Sequence, residues 1–526
     1  MNLFKAASTV SLFTLASRIT GLGRELCMAH YLGVGVVTDA FNVAFRIPNL
    51  LRRLFAEGAF TQAFVPVLAQ TRAQEGNQAT LELAARVALL LCSVLLGISF
   101  LGILGAPLWV WAMASGLQKT PHTFELTILL TRCLFPYIFF ISLVALLSGV
   151  LNVWQRFAIP AVTPVLLNLS MMAGTVYGVP YLAQHGLEPA LGLAGGVLLG
   201  GLLQLGLQIG MLHRLGLWLP QGWRAILTGR LLRAAWQDPR PRRIARLMTP
   251  ALLGVGVAQI SLLINTQIAS YLGPGCVSWL SYADRLMEFP TALLGVALGV
   301  VLMPQLARAK AHGDSTRYRQ LLDWGLKWVA ILGLPCALAL GLLAQALVST
   351  LYYHGAFSSH DVHETALAVS AYGMGLLGLV GIKVLAPGYY ANQDLKTPVR
   401  IAVFILVLTQ VLNGLFVPWF NQAGLALSIG LGAVMNAGLL LRGLIVRGHY
   451  RFEKDWLVFM RQIAGGNLVL FFAWMYIQGQ IDWLHLSSSW RLGALTLVTL
   501  ASLGLYGGTL FILGFRWRPF LNLMRE

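Results

Sequence analysis

The chain has 526 residues, 57% of them hydrophobic and 11% charged, which is more apolar surface than one water-soluble core can bury. Its net charge of +18 invites a nucleic-acid reading, but the cations sit between apolar runs of about 20 residues, the length that spans a bilayer as helix. A soluble nucleic-acid binder is excluded, and an all-α polytopic membrane protein is expected, because spanning helices satisfy their own backbone groups in lipid.

Some fourteen such runs are expected from residue 10 to residue 515. The first, 10–33, is interrupted by Arg18, Arg24 and Glu25 and lacks a following small-residue cleavage site, so it reads as a retained span rather than a signal peptide. At about 100° per residue it places Arg18 and Glu25 on one stripe, with Ser17, Gly21 and Arg24 beside them. The second run carries Asp39, Asn42, Arg46, Asn49 and Arg53 at spacings of three or four, with Pro48 able to bend it. Two neighbouring helices should thus share a polar seam.

Further along, the basic residues alternate by connection. Of the 37 Lys and Arg, 26 fall in the N-terminus, 68–80, 150–160, 213–246, 304–328, 388–400, 441–461 and the tail after 515. The intervening connections hold only Lys119 and Arg491. That asymmetry predicts both termini on the cytoplasmic side of the membrane. The connection 213–246 has eight arginines, one acid (Asp238) and the tryptophans Trp218, Trp223 and Trp236, a composition suited to anionic membrane lipids. The five cysteines lack CxxC or Cys/His spacing, so no disulfide or metal cluster is expected.

A weak internal repeat at an offset near 240 sets the architecture. Tyr31-Leu32-Gly33 recurs as Tyr271-Leu272-Gly273, Pro48 as Pro290, Pro66 as Pro304, and Gln155 with Pro160 as Gln393 with Pro398. Six spans per repeat give both halves the same orientation, with a central cavity expected between them. The division is an N-lobe over 1–213, the basic connection 214–244, a C-lobe over 245–447, and two added helices within 448–526, expected to form a lipid-facing groove.

In the C-lobe the position matching the seam holds Asp284, Arg285 and Glu288 before Phe289-Pro290. A charged side chain at bilayer depth costs roughly 2.5 kcal/mol or more, so keeping several implies partners, water or a substrate. Arginine suits an anionic substrate, since its planar fork gives two parallel hydrogen bonds to a phosphate and keeps its proton. The competing reading is that Arg18, Arg24, Arg46, Arg52, Arg53 and Arg285 merely pair with Glu25, Asp39, Glu57, Asp284 and Glu288. Arg52, Arg53 and Glu57 should lie near the cytoplasmic mouth, which leaves Arg18, Arg24 and Arg285 as the mid-depth cations facing substrate. No nucleotide-binding loop is present, so no cofactor is expected and the membrane potential is the expected driving force. Segments 245–272 and 397–420 contain no Asp or Glu, and no sodium or other metal site is expected there.

The stretches TDAFNVAFRIPNLLRRLFAEGAF (38–60), SYADRLMEFP (281–290) and LAPGYYANQDLKTP (385–398) resemble the MurJ (MviN) family of the multidrug/oligosaccharidyl-lipid/polysaccharide exporter superfamily. The resemblance covers nearly the whole chain. It implies a flippase moving lipid II, the undecaprenyl-pyrophosphate-linked peptidoglycan precursor, by alternating access, with the family's functional arginines falling on Arg18, Arg24, Arg52 and Arg285 and matching acids on Asp39 and Glu288. It also implies work alongside the peptidoglycan-synthesis or division machinery. Residue chemistry alone leaves open a flippase of another polyprenyl-linked glycan, which shares the pyrophosphate. A cation-drug exporter of the same fold should line its cavity with acids and aromatics. A membrane-embedded transferase should carry a DDxxD or DxxxD array, and no loop has one.

Overall fold

The computed structural model describes residues 3–52, 59–217, 235–453 and 455–516. Among the described residues every regular element is helical. Helices α1 (Leu3–Leu32), α2 (Val36–Arg52), α3 (Ala59–Leu104), α4 (Ala106–Ala114), α5 (Pro121–Leu134), α6 (Tyr137–Val153), α7 (Ala158–Ala173), α8 (Val179–Gln184), α9 (Ala190–Arg214) and α10 (Pro239–Tyr271) form a first compact unit, ending at Val277. The second unit runs from Ser278 and holds most of α11 (Cys276–Pro290), then α12 (Ala297–Ala311), α13 (Ser315–Leu342), α14 (Ala344–Tyr352), α15 (Ser359–Gly373), α16 (Leu376–Ala391), α17 (Lys396–Val446), α18 (Trp456–Gln480) and α19 (Ser488–Ile512). Helix α10, which the sequence reading places at the head of the second lobe, packs against α3 and α4 and so falls within the first unit.

Eight of the described helices are long and apolar enough to cross a membrane, or nine if the bent pair α15 and α16 is one span. This differs from the fourteen expected crossings for physical reasons. Charged residues within α1 lower its hydropathy, and α2 and α11 run 17 and 15 residues, short of the roughly 20 that span a bilayer as helix. Helix α17 has 51 residues, about 77 Å of helix against a hydrocarbon core of about 30 Å. It breaks at Asn421 (φ 47°, ψ −126°), dividing it into two crossings. Residues 68–80, read from sequence as a connection, are helical on both sides of Gly76, whose φ of 87° turns the chain inside α3.

The repeat extends to the backbone. Gln155 and Gln393, matched at the same offset in sequence, both occupy the left-handed region, with φ of 57° and 59°, where non-glycine residues are uncommon. Close helix approach in the first unit is made by small residues. A Cβ on Gly192 would stand 2.7 Å from the Val179 nitrogen, and one on Gly196 would stand 2.8 Å from the Ser170 oxygen, so α9 packs backbone to backbone on α7 and α8. One core of this unit gathers Phe41, Leu130, Tyr137, Met171 and Leu193. In the second unit, Ile331, Ile463, Trp474 and Leu510 form the core that holds α18 and α19 on α13 and α14.

Two ionic clusters pin the basic ends. Asp238 caps α10 by accepting from the Arg240 backbone N–H at 2.9 Å, and its buried carboxylate also takes Arg86 at 2.7 Å and the Arg240 guanidinium at 2.9 Å. Arg86, within the apolar run of α3, is thus a partner of that cap. Burial opposes the charged form of Asp238, but the hydrogen bonds from Arg240 and Arg86 win and hold its carboxyl down to about 2. Its contribution to stability is present above the ordinary carboxyl pKa of about 4 and is lost as pH falls from there toward the folded value. A melting series on wild type and Asp238→Asn should therefore show the two curves converging at acid pH; a difference that persists unchanged would contradict the assignment. In the second unit Lys327, counted from sequence with a basic connection, is instead buried in α13, bonded to Asp323 at 2.7 Å and Asp455 at 2.6 Å.

Candidate functional site

The polar stripe of α1 faces α7. Gly21 and Gly23 leave room there: a Cβ on Gly21 would lie 3.5 Å from Asn168 Nδ2, and one on Gly23 would lie 3.5 Å from Met172 Cε. Into that contact Asn168 Nδ2 donates to the Ser17 carbonyl at 3.0 Å and to Thr20 Oγ1 at 3.2 Å. Its Oδ1 accepts from Arg24 Nη1 at 3.2 Å. Arg24, 8% exposed, gives its other terminal nitrogen to the Glu25 carboxylate, while its Nε has no hydrogen-bond partner among the described residues. The guanidinium is therefore charge-paired yet not fully satisfied, a state that a polyanion could improve. Arg18 lies one to two turns away on the same helix, exposed, and makes no hydrogen bond or ion pair with a described residue.

Helix α2 supplies the second part of the seam. Asp39 sits in its first turn, 1% exposed, and accepts from the Gly275 backbone N–H at 2.6 Å. A carboxylate in place of a backbone partner ties the turn before α11 to α2. One face further along, Arg46 donates to Thr266 Oγ1 of α10. The seam of α2 is thus bound to α10 and its following turn as well as presenting charge. Arg52 closes α2, but its side chain, together with Arg53 and Glu57, lies outside the described residues.

In the second unit Arg285 donates to Glu288 at 2.9 Å across one helical turn, with the two side chains 39% and 43% exposed. An ion pair this open is readily exchanged for another anion. Asp284 lies beside it, half-buried. Directly after Pro290, residues Thr291–Val296 widen into a π-helical turn, a local irregularity often found at functional positions. Gly295 in that turn is covered by the stem of Lys383: a Cβ there would fall 2.9 Å from Lys383 Cγ. Lys383 itself is exposed.

The structure therefore brings Arg24, Glu25 and, beside them on α1, Arg18 into one group, and Asp284, Arg285 and Glu288 into another. Asp39 accepts from the Gly275 backbone N–H. Sequence reasoning missed Asn168, Thr266 and Gly275. A lone Asn in an apolar run such as VLLNLS was a usable signal for the first, because an amide at that depth needs a partner; the Gly275 N–H left no trace in side-chain pattern. No group of three His, Cys, Asp or Glu among the described residues is arranged to hold a metal ion.

The family described as "Lipid II flippase MurJ" matches residues 28–493. A Burkholderia cenocepacia protein named "Lipid II flippase MurJ" is 47% identical over 529 residues, covering 99% of each chain. Among solved structures, one titled "Lipid II flippase MurJ, inward closed conformation" is similar with a TM-score of 0.77 at 22% identity, covering 97% of this chain and 99% of that chain. An inward-facing multidrug resistance MATE family transporter of the MOP superfamily is similar with a TM-score of 0.65 at 14% identity, covering 84% and 95%. The two structural likenesses show the fold.

Proposed function

The chain belongs to the MurJ lipid II flippase family, and from that premise we propose that it carries lipid II from the cytoplasmic to the periplasmic leaflet of a bacterial inner membrane. The observation that carries this reading is the 47% identity, over 99% of both chains, with a relative named for that activity. As a member of that family it is a multi-pass membrane transporter rather than an enzyme.

In the proposed cycle the two six-span lobes, 1–213 and 245–447, alternate in access, both termini lying in the cytoplasm. The pyrophosphate is held by Arg18, Arg24, Arg52 and Arg285, with Arg53 near the cytoplasmic mouth. Glu25 and Glu288 hold Arg24 and Arg285 until the phosphates displace them, which keeps the empty site from leaving bare charges at bilayer depth. Asp39 secures the turn at Gly275, and Glu57 and Asp284 complete the acid set. Each negative charge moved outward through an inside-negative potential gains roughly 2.3 kcal/mol per 100 mV, and an emptied cationic site returning inward gains in the same sense. The polyprenyl tail stays in lipid, guided by an apolar groove of about 970 Å³ lined by Leu334, Leu338, Met374, Met460 and Phe471. Contact with the peptidoglycan-synthesis or division machinery would consume the product.

The test is the amount of lipid II on the outer leaflet of cells that rely on this chain, read by its susceptibility to an externally added lipid II hydrolase. Exposure should collapse when the chain is depleted. Unchanged lipid II exposure, with another polyprenyl-linked glycan retained inside, would assign a different cargo.

A further inference from the structure

The apolar groove does not end in lipid. Gly341, Leu342, Leu367 and Ser370 line both it and a second cavity of about 610 Å³. The second cavity lies where α13 gives way to α14, beside α15 and the link after α18. Its wall has a different chemistry: Gln345, His363, Gln478, Gln480, Asp482 and Trp483, with no Lys or Arg among its lining residues. A channel that is apolar at one end and amide-lined with a carboxylate at the other has the polarity of a lipid, chain below and headgroup above.

Two features narrow the headgroup. Gln345, Gln478 and Gln480 put exposed amide donors on its wall, while the Trp483 ring, 4% exposed, closes the cavity from within. Asp482 accepts from His485 Nδ1 at 2.7 Å and from the Leu484 N–H at 3.1 Å, bonds that hold its carboxyl below the usual range and keep it anionic. The cavity thus offers donors for a phosphodiester and one carboxylate for a cation, without the basic side chain that a net anionic head requires.

We propose that this cavity binds the headgroup of a zwitterionic, amine-bearing phospholipid of the phosphatidylethanolamine type, its acyl chain lying in the apolar groove. The lipid comes from the leaflet that meets the 481–487 link. The ammonium group sits on Asp482 and the phosphodiester takes hydrogen bonds from the glutamine amides. A bulk phospholipid then fills the groove whenever a polyprenyl chain does not, and the acid at the mouth keeps pyrophosphate-bearing heads out of this cavity. This goes beyond the flippase reading and stands whichever lipid is carried.

The experiment uses the full chain in nanodiscs of equimolar phosphatidylethanolamine and phosphatidylglycerol with matched acyl chains, followed by mild detergent extraction and mass spectrometry of retained lipid. Wild type should keep phosphatidylethanolamine over phosphatidylglycerol at least fivefold. Asp482→Asn, at an exposed position, should melt like wild type and reduce that preference to less than twofold, and Gln480→Lys should reverse it. A photoreactive residue at 478 should cross-link to phosphatidylethanolamine. Equal retention of the two lipids by wild type, or a preference that survives both substitutions, overturns the proposal. Neither result depends on lipid II transport, so failure of one reading is distinguishable from failure of the other.

Discussion

Asp323→Ala is expected to loosen the added helix pair and to cost about 3 kcal/mol, the low end of what breaking one side of a buried ion pair costs. The Asp323 carboxylate accepts from Tyr450 Oη at 2.9 Å, from the Trp456 indole N–H, and from Lys327 Nζ at 2.7 Å. Asp323 and Lys327 are both buried in α13, whereas Tyr450 and Trp456 lie at the entry to α18. Removing the carboxylate leaves two donors and part of an ammonium charge unanswered, although Asp455 still holds Lys327 at 2.6 Å. The unfolding temperature should fall by several degrees, with new protease cleavage near residue 455. Asp323→Asn combined with Lys327→Met should recover most of the loss, since a buried ion pair contributes little over a well-packed neutral pair. If Asp323→Ala melts within a degree of wild type, the cluster does not anchor the pair.

The second large effect is expected at Asn168, a residue outside the charged seam. Its amide is the link between Arg24 and the α1 backbone at Ser17, so Asn168→Ala should leave Arg24 with Glu25 and a weak contact to Met171 Sδ at 3.8 Å, free to leave its position. A hydrogen bond to a charged group is worth about 1.5–3 kcal/mol, which corresponds to a roughly tenfold to hundredfold fall in lipid II transport. Asn168→Asp separates positioning from packing. It is nearly isosteric and should insert and melt much as wild type does, yet a second carboxylate beside Glu25 over-neutralises the guanidinium and should depress transport further than alanine. Transport by Asn168→Asp at the wild-type rate would show that the amide serves packing alone.

Much of the fold was legible because its causes are local. The apolar runs became helices, the stripe of α1 turned toward protein, and the repeat noted at Gln155 and Gln393 reappears in two left-handed backbone conformations. The added pair emerged as α18 and α19. What was illegible depended on long-range pairing. Lys327 looked like one more basic residue in a connection, since its partner Asp455 stands 128 residues away. Arg86 stands in an apolar run of α3 with its partner Asp238 152 residues away. Asp39 also accepts from the Gly275 backbone N–H, and no side-chain pattern announces a backbone donor. The connection at 68–80 is tighter than its polar composition suggests, since Gln, Glu, Ala and Arg are also good helix formers and the chain turns at Gly76 between two helical stretches.

For the arginines proposed to hold substrate, the structure gives the pairing of each. Arg24 is buried against Glu25 and Asn168, Arg285 is open and paired to Glu288, and Arg18 is exposed. Such a graded set suits a substrate that arrives at exposed cations and then displaces carboxylates from the others.

The central claim is that these arginines hold the headgroup during transport, and the most direct measurement is outer-leaflet lipid II in cells relying on wild type, Arg24→Ala or Arg285→Ala at matched membrane levels. The account predicts that each stably inserted variant exposes at least tenfold less lipid II than wild type. Normal exposure with both variants would contradict it and make the two arginines structural.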